Sequence, residues 1–525
     1  MKQMSGLRKL VAELGQLSEN KVKYTSQRLM NKWVTKHEKL VLRLLEILPG
    51  FVSWNIILFP YWGIFVMPSA VAYFVLIFNI YWFYQSFTIA ISATISHLRM
   101  QASMKYDWVS DLPLFPDWER VNNVVIIPTY KEPLKTLIRT IDSLAKQTLP
   151  TKQITVVLAM ETKEPKEERE EKVAELKKIF NGVFRDFLVT VHTLTHGEVV
   201  GKASNERYAA IEIKKLLVDE EGEDISYITV TSCDADHVFH KNHYAALTYK
   251  FLDNPKRYLR FWQPAVFFYN NIWNLPALTR VPNTFMSIWN LSQLPRRDRL
   301  INGQNYSLSL KLLHEVDYWD ADKIPEDWGI FFKAFYKMKG GIEVEPIYLP
   351  LYTDAAESKT FWGTLKNQYE QLKRWAWGAS DDPWIIKNYF LTPGVPFWDK
   401  TTRLIFVLMS HFLWPVNWFI ITIGLTLPTL LNPAFGRTTL GYLVPQVSSF
   451  LLTIALVFLV IMIIFDNIYK PPRPATFPLW RALLIPFEFI LMPITGFFFG
   501  ALPGLDAHTR LMLGKYIEYK VTEKV

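Results

Sequence analysis

The sequence has 525 residues and contains a single cysteine, Cys233. One cysteine excludes an intramolecular disulfide, and it also excludes a zinc site of the finger type, which needs several Cys and His ligands. We expect no secretory signal peptide, because the N-terminal segment is polar and basic rather than apolar. The formal net charge of +9 is modest, and no recognisable nucleic-acid-binding module accompanies it. We therefore predict no nucleic-acid partner.

Acidic and basic residues are missing from three long apolar blocks. These blocks cover residues 49–96, 404–436 and 438–465. A helix needs about 20 apolar residues to cross a bilayer, so the first block predicts two spans and each of the others predicts one. A further apolar segment, 482–503, contains Glu488 and three prolines. This segment either spans the membrane or re-enters it, and re-entry is the interpretation we favour.

The distribution of Lys and Arg orients these spans. Residues 1–48 contain ten Lys/Arg and four Glu, which predicts a cytosolic location. Two spans return the chain to the cytosol, so we expect an integral protein of a bacterial-type plasma (inner) membrane, with lipid partners and a cytosolic catalytic domain. The predicted divisions are a basic cytosolic segment 1–48, two transmembrane helices 49–97, an α/β domain 98–358, amphipathic interface helices 359–400, a C-terminal transmembrane region 401–505 with two clear spans and one spanning or re-entrant segment, and a basic cytosolic tail 506–525.

The region between the apolar blocks alternates between strand-like and helix-like patterns. Strands are predicted at 123–128, 154–159, 187–191 and 227–233, and helices at 134–147, 164–180 and 204–217. This alternation predicts an α/β domain around a mostly parallel sheet. Ligands bind such sheets at the carboxyl ends of the strands, so the polar residues that follow each strand are the candidates for a site.

Two loops after predicted strands are candidates for nucleotide binding. The sequence Pro128-Thr-Tyr-Lys-Glu follows the first strand. Its Thr129, Tyr130 and Glu132 side chains can bind the nucleobase and the ribose of a nucleotide. The alternative is a tight turn that caps the next helix. Glu161 ends the second strand, where it either accepts hydrogen bonds from a nucleoside or is an exposed loop acid.

Lys202 stands at the predicted start of a helix, after a loop with two glycines. A lysine in this position can hold a diphosphate. The spacing is not that of a Walker A loop, and a solvated loop lysine is the alternative.

The sharpest candidate is Asp234-Ala-Asp236, directly after the fourth predicted strand. Residues i and i+2 of an extended chain project to the same side. Two carboxylates placed in this way can ligate Mg²⁺ or Mn²⁺, which would also hold the diphosphate oxygens of a nucleotide. The alternative is a polar loop with an Asx turn.

Two helical motifs complete the candidates. Glu326-Asp327 begins a predicted helix, where Asp327 is either a general base for a sugar hydroxyl or an acid that stabilises the helix dipole. Gln371, Arg374 and Trp375 share one face of an amphipathic helix that we expect at the membrane surface. They either contact the diphosphate and the acceptor or anchor the helix in the interface.

The order of these motifs between membrane spans resembles the family 2 membrane glycosyltransferases, which include cellulose synthase and hyaluronan synthase. The resemblance covers about residues 120–380 by motif, and Gln-x-x-Arg-Trp is its most specific element. It implies an α/β GT-A fold, a Rossmann-like mixed sheet, in a cytosolic domain inserted between α-helical transmembrane segments. It also implies transfer of a sugar from a nucleotide-sugar with inversion at the anomeric carbon, and Mg²⁺ or Mn²⁺ as cofactor. Within this family the expected donor is a UDP-sugar.

The resemblance also implies residue roles. Asp236 and Asp234 hold the metal, and Asp327 and Glu326 form the catalytic motif. The residues implied in nucleotide-sugar binding are Thr129, Tyr130, Glu132, Glu161, Lys202, Asp234 and Arg374, and those implied in acceptor binding are Gln371, Trp375 and Asn305. Two positions depart from the family pattern, because Pro325 replaces a usual Thr and Glu161 a usual Asp. Neither change removes a charge, so we expect activity, but not a close match to cellulose synthase.

Three functions compete at this level. We predict a processive synthase that extends a β-linked polysaccharide and passes it through its own helices, because aromatic residues such as Trp82, Trp414 and Trp418 crowd the apolar blocks. The second is transfer of one sugar to a lipid-linked acceptor such as a polyprenyl phosphate. The third is a non-catalytic transporter or scaffold, which the lack of charges in the three blocks and the retained acids disfavour.

The metal role predicts the behaviour of Asp236→Ala. Loss of one ligand should weaken UDP binding by at least about tenfold in Mg²⁺, because the bridge between protein and diphosphate is lost. Calorimetric titration of the purified protein with and without Mg²⁺ measures this effect. Unchanged affinity under both conditions would contradict the assignment.

Overall fold

The computed structural model describes residues 32–424 and 427–518. Residues 1–31 and 519–525, which include most of the predicted basic N-terminal segment and part of the predicted basic tail, lie outside the described residues. An α/β domain is inserted between two groups of long apolar helices. Its polar loops lie between these groups, and this position brings the candidate site close to the apolar helices.

The strands are β1 (Asn122–Thr129), β2 (Ile154–Glu161), β3 (Asp186–His192), β4 (Ile228–Ser232), β5 (Val238–Phe239), β6 (Arg260–Phe267), β7 (Tyr306–Ser309) and β8 (Glu343–Tyr352). The helices up to the end of the α/β domain are α1 (Glu38–Val66), α2 (Pro68–Lys105), α3 (Leu134–Ala145), α4 (Lys166–Ile179), α5 (Lys202–Ile213), α6 (His243–Asp253), α7 (Ala277–Gln293), α8 (Leu310–Glu315) and α9 (Asp327–Lys337). The later helices are α10 (Phe361–Ala376), α11 (Asp382–Leu391), α12 (Phe397–Leu413), α13 (Asn417–Thr422), α14 (Leu427–Leu431), α15 (Pro433–Gly436), α16 (Thr439–Tyr469), α17 (Leu479–Glu488), α18 (Met492–Gly496) and α19 (Leu502–Met512).

The eight strands form one mixed sheet in the order β3-β2-β1-β4-β7-β6-β8-β5. The strands β1 to β4 pair in parallel, as the alternating pattern predicts. Strand β7 is antiparallel to both β4 and β6, whereas β8 is parallel to β6 and antiparallel to β5. The four predicted strands and the helices between them are confirmed within a few residues, and the antiparallel half of the sheet is an addition to the prediction.

Helices cover both faces of the sheet, which explains the nearly continuous apolar runs in its strands. In β1, Val124 and Ile126 pack into the core beneath α5, α8 and α9. Val125 and Ile127 pack into the opposite core beneath α3, α4 and α6. The carboxyl ends of the parallel strands are left uncovered by either layer, so their loops are available for a ligand.

Four helical segments are long and apolar enough to cross a membrane, by length and composition. They are Glu38–Val66, Pro68–Lys105, Thr439–Tyr469 and Trp480–Met512. The last contains the segment 482–503, for which we favoured re-entry. The helical stretch around it has 33 residues and is therefore long enough to span, and re-entry stays a prediction.

The block 404–436, for which a single span is predicted, does not form one continuous helix. The block is divided among α12, α13, α14 and α15, and α12, with 17 residues, is the longest of them. Pro415, Pro428 and Pro433 lie at or near the breaks. Proline removes a backbone donor and clashes with the preceding turn, so hydropathy alone overestimated the continuity of this block.

A buried polar cluster joins helix α16 to the α/β domain. Asp466 accepts hydrogen bonds from Tyr269 (2.8 Å) and Thr284 (3.1 Å) and forms an ion pair with Lys470. The side chains of Asp466 and Lys470 are 0% and 3% exposed, so neither charge is compensated by solvent. The cluster therefore fixes the end of a candidate membrane helix against β6 and α7.

We expect Asp466→Asn to lower the free energy of unfolding by about 3 kcal/mol, because the Lys470 ammonium would stay buried without a counter-charge. Thermal unfolding of the purified protein in detergent measures the loss. The matched control is Asp142→Asn, since the Asp142–Lys146 pair is exposed and should contribute less than about 1 kcal/mol. Equal unfolding temperatures for the two variants would contradict this role.

Candidate active site

One cavity of about 2090 Å³ opens at the carboxyl ends of the parallel strands and extends between the apolar helices. Residues from every predicted motif line it. They are Thr129, Tyr130, Glu132, Glu161, Lys202, Asp234, Asp236, Glu326, Asp327, Gln371, Arg374 and Trp375. The structure thus brings together side chains that are up to 246 positions apart in the sequence (375 − 129).

Lys202 is the centre of the charged part of the site. Its ammonium lies 2.7 Å from Asp234, 3.1 Å from Glu326 and 3.9 Å from Glu206. It also donates to the backbone oxygen of Gln304 at 3.2 Å. Burial works against its charge, but the three carboxylates outweigh burial and raise the pKa of Lys202 well above its ordinary value. Lys202 is therefore a fixed cation within the cavity wall.

Glu206 is a buried member of this cluster that sequence reasoning missed. Its carboxylate accepts a hydrogen bond from Ser232 at 2.7 Å. Burial raises the pKa of Glu206 to about 8, although Lys202 opposes the shift. Near pH 7 the Glu206 carboxyl group therefore holds a proton more readily than an ordinary glutamate does. The signal was available, because Glu206 follows Lys202 by four residues and shares its helix face.

Asp234, Asp236 and His237 offer one ligand atom each within a sphere suitable for a metal ion. These atoms lie within 4.8 Å of one another. Carboxylate oxygens with one imidazole nitrogen suit Mn²⁺ well, and Mg²⁺ through the carboxylates. His237 was not predicted, although it directly follows Asp236 in the sequence.

Hydrogen bonds fix the orientation of Asp236. Its Oδ2 atom accepts from the Thr353 hydroxyl at 3.0 Å and from the Asp354 backbone N–H at 2.9 Å. Asp354 in turn pairs with Arg139 at 2.7 Å. The second carboxylate of the motif is thus held by the loop after β8, which the sequence did not link to the site.

Asp327 lies at the start of α9, facing the loop that precedes β7. Its Oδ1 accepts from the Trp328 N–H at 2.8 Å and its Oδ2 from the Gln304 N–H at 3.3 Å. Burial, with a smaller contribution from the neighbouring Glu326 charge, raises the pKa of Asp327 to about 7. A carboxylate with this pKa is a far stronger base than an ordinary aspartate, which suits removal of a proton from a sugar hydroxyl.

Backbone strain occurs in two loops that line the cavity, the loop with Gln304 and the loop with Lys131. Gln304 has φ 50° and Lys131 has φ 61°, a left-handed conformation that side chains with a Cβ rarely adopt. In the second loop, Glu132 accepts from the Tyr130 N–H at 2.7 Å and from Thr129 at 3.4 Å. Strained loops of this kind often position backbone groups at functional sites.

Glu161 is buried at the end of β2, so the alternative of an exposed loop acid is wrong. Burial raises the pKa of its carboxyl group, although the Lys163 charge opposes the shift. The side chain lines the cavity near the Thr129 loop. Its position is compatible with a hydrogen bond to a nucleoside.

The Gln-x-x-Arg-Trp residues lie on α10, on the side of the cavity that faces the apolar helices. Gln371 is 4% exposed, and its side-chain oxygen has no hydrogen-bond partner among the described residues. Trp375 packs against Phe268 with a ring separation of 5.4 Å. The motif thus presents an amide, a guanidinium from Arg374 and an indole to the same space.

The predicted acceptor contact of Asn305 is not supported. The residue is fully buried behind the cavity, where its amide donates to Ser232 O at 3.1 Å and lies 3.2 Å from His237 Nδ1. Its neighbours Gly303 and Gln304 line the cavity instead. The loop that the sequence indicated does reach the cavity, but sequence reasoning could not tell which residue of the loop points inward.

Comparison with known proteins supports the chemical class. Residues 229–465 match the family model described as glycosyl transferase family group 2. The matched region begins in β4 and includes Asp234, Asp236, Asp327 and the motif on α10. The protein is therefore a glycosyltransferase. No curated protein matches the chain.

Three solved glycosyltransferase structures are similar at low identity. A mannosyltransferase from Pyrobaculum calidifontis, in complex with GDP-Man and Mn²⁺, has 15% identity and a TM-score of 0.42 over 75% of this chain and 99% of its own. GalNAc-T7, with UDP, GalNAc and Mn²⁺, has 15% identity and a TM-score of 0.34 over 56% and 59%. TarS from S. aureus, residues 1–349 with UDP-GlcNAc, has 15% identity and a TM-score of 0.34 over 62% and 88%. These likenesses are too distant to transfer ligands to this chain.

The environment of Asp327 predicts a pH dependence. A general base acts only when it is deprotonated, so the transfer rate should fall about tenfold per pH unit well below the pKa of about 7 and level off above it. Asp327→Asn should reduce transfer by at least about 100-fold and leave nucleotide binding largely intact. The measurements are initial rates from pH 5 to pH 9 (roughly the range over which such a base titrates) and nucleotide titrations.

The matched control is Asp253→Asn, which changes an exposed carboxylate at the end of α6. This variant should keep the full rate and the full pH profile. Full transfer activity in Asp327→Asn would remove the base assignment.

Proposed function

We propose that the protein transfers a sugar from a nucleotide-sugar, a UDP-sugar as the first candidate, to a growing β-linked polysaccharide at the cytosolic membrane face. The cavity is the observation that carries this proposal. Ordinary small-molecule pockets measure about 300–1,000 Å³, whereas this cavity has about 2090 Å³. The excess volume can accept a second substrate beside the donor.

The two ends of the cavity suit different substrates. At one end, the Thr129 loop, Glu161 and Lys202 offer hydrogen bonds and a positive charge to a nucleoside diphosphate. At the other end, aromatic and polar side chains of the apolar helices and of α7 line the wall, among them Tyr81, Trp82, Gln85, Trp289, Asn290, Trp414, Asn417 and Trp418. Aromatic faces and amides are the groups that stack on sugar rings and bind hydroxyl groups. Asp327 lines the same cavity.

Different residues of the chain carry out different parts of this reaction. Lys202 holds the diphosphate and stabilises the charge that develops on the leaving group. Asp327 removes the proton of the acceptor hydroxyl as its oxygen attacks the anomeric carbon from the face opposite the nucleotide, which inverts that carbon. Gln371 and Trp375 orient the acceptor against the donor sugar.

Asp234, Asp236 and His237 would hold a divalent cation, Mn²⁺ or Mg²⁺. The donor set fits such an ion, because its ligand atoms cluster within 4.8 Å and hard oxygen ligands dominate. When bound, the ion would neutralise diphosphate charge.

A lipid-linked acceptor, such as a polyprenyl phosphate, is the second candidate. Part of the cavity wall is purely apolar, since α16 contributes Leu452, Leu456 and Leu459 and the following segments contribute Phe489 and Ile490. Such a wall favours an isoprenoid chain over a glycan. A single transfer to the lipid phosphate would then replace chain extension.

A product assay tests the proposal. Purified full-length protein in lipid nanodiscs, with Mn²⁺, receives a panel of radiolabelled nucleotide-sugars without added acceptor, and Asp327→Asn serves as the inactive control. We expect high-molecular-weight labelled product from one donor. Label that becomes extractable into organic solvent only after polyprenyl phosphate is added would favour the second candidate. No transfer from any donor to either acceptor would contradict both.

A further inference from the structure

A buried histidine–aspartate pair contacts Trp328, the residue that follows the proposed base in the sequence. His411 on α12 and Asp382 on α11 are 5% and 1% exposed. His411 Nδ1 lies 2.8 Å from Asp382 Oδ1. Neither residue belongs to a motif that the sequence singled out, and the catalytic roles described above do not use them.

Trp328 connects this pair to the reaction centre. It follows Asp327 in the sequence, and its indole stacks on the His411 ring with centroids 5.1 Å apart and an interplanar angle of 27°. Trp328 and His411 both line the cavity, together with Asp327. The imidazole is therefore linked by this stacking to the residue next to Asp327, and the nearby Ser410 and Trp414 line the same cavity.

The second nitrogen of the ring remains available. Among residues 32–424 and 427–518, no group is hydrogen-bonded to His411 Nε2. Gly378 lies on that side, and a Cβ added there would be 3.5 Å from Nε2. Because the residue at 378 has no side chain, the space beside Nε2 stays open to the cavity.

The pairing keeps Nε2 suitable for a hydroxyl in either protonation arrangement. If Nδ1 donates to the carboxylate, Nε2 of the neutral ring accepts a hydrogen bond. If Asp382 donates to Nδ1, Nε2 carries the proton and donates. A sugar hydroxyl both donates and accepts, so it can bind Nε2 in both cases.

We propose that His411 is an acceptor-binding residue, whose Nε2 holds a hydroxyl of the acceptor beside Asp327, and that Asp382 is the positioning residue that fixes its ring. This role rests on the proposed glycosyl transfer and deepens it. The ligand class is a hydroxyl-bearing glycan unit that approaches from the side of the apolar helices. Stacking of Trp328 fixes the plane of the ring, and the carboxylate of Asp382 fixes its rotation.

Two substitutions separate acceptor binding from a purely structural role. The amide of Asn reaches about as far as Nδ1 of His, and the amide of Gln reaches about as far as Nε2. His411→Asn therefore keeps a partner for Asp382 and loses the group that faces the cavity. His411→Gln keeps a polar group towards the cavity and loses the direct partner of Asp382.

The readout is the ratio of nucleotide released to sugar incorporated into product. Full-length variants in nanodiscs receive the donor that gives product in the panel, and released UDP and incorporated label are counted together. When the acceptor is poorly bound, water attacks the donor sugar in its place. UDP is then released without incorporation of sugar, so the ratio rises without any change in acceptor concentration. We expect this ratio to rise about tenfold in His411→Asn, because one hydrogen bond to the acceptor is lost. In His411→Gln we expect the ratio to stay within about twofold of wild type, because a polar group still faces the cavity.

UDP affinity and the unfolding temperature are measured for both variants, and donor affinity should be unchanged in each. Equal ratios in the two variants, or a larger rise in His411→Gln, would overturn the proposal, because a structural role predicts that Asn is the better replacement. If the wild-type protein transfers no sugar from any donor, the proposed function fails, and this role for His411 fails with it.

Discussion

One buried ammonium group holds the site together. Lys202 forms ion pairs with carboxylates from three separate segments, Asp234 after β4, Glu326 before α9 and Glu206 on its own helix. Without it, Asp234 and Glu326 would lie close together beside the buried Glu206, and the repulsion between their charges would separate the loops that carry them. The Asp234-Ala-Asp236 motif, the Glu326-Asp327 motif and the Gln304 loop are therefore positioned relative to the same side chain.

The apolar helices take part in the same organisation. The Asp466 cluster attaches α16 to β6 and α7, and Arg280 on α7 pairs with Glu488 on α17 at 2.6 Å. Because both contacts are largely buried, they hold the helices in a defined position against the sheet. The cavity can then continue from the sheet into the space between the helices.

The parallel half of the fold and most of the site could be predicted from the sequence. Strands such as β1 are continuous apolar runs, and polar residues after them, such as Asp234 and Asp236, meet at one edge for a geometric reason. The features that could not be predicted from the sequence also have physical causes. Asn305 and Gln304 are adjacent, and only the left-handed backbone of Gln304 decides which of them lines the cavity. His411 and Asp382 are brought together by the packing of α11 and α12, which no local pattern encodes, and hydropathy did not register the proline breaks in block 404–436.

The loop before β7 has a mechanical consequence. It runs from the end of α7 to Asn302 and Gln304, both of which donate hydrogen bonds to Asp327, at 2.8 Å and 3.3 Å. Helix α7 packs against α2, one of the candidate membrane helices. The position of the Asp327 carboxylate thus depends on the packing of α2 as well as on the sheet. If α2 spans the membrane, a bilayer of different thickness that tilts α2 would shift α7 and reach the base through one short loop. Bilayer thickness then becomes a physical variable of the reaction.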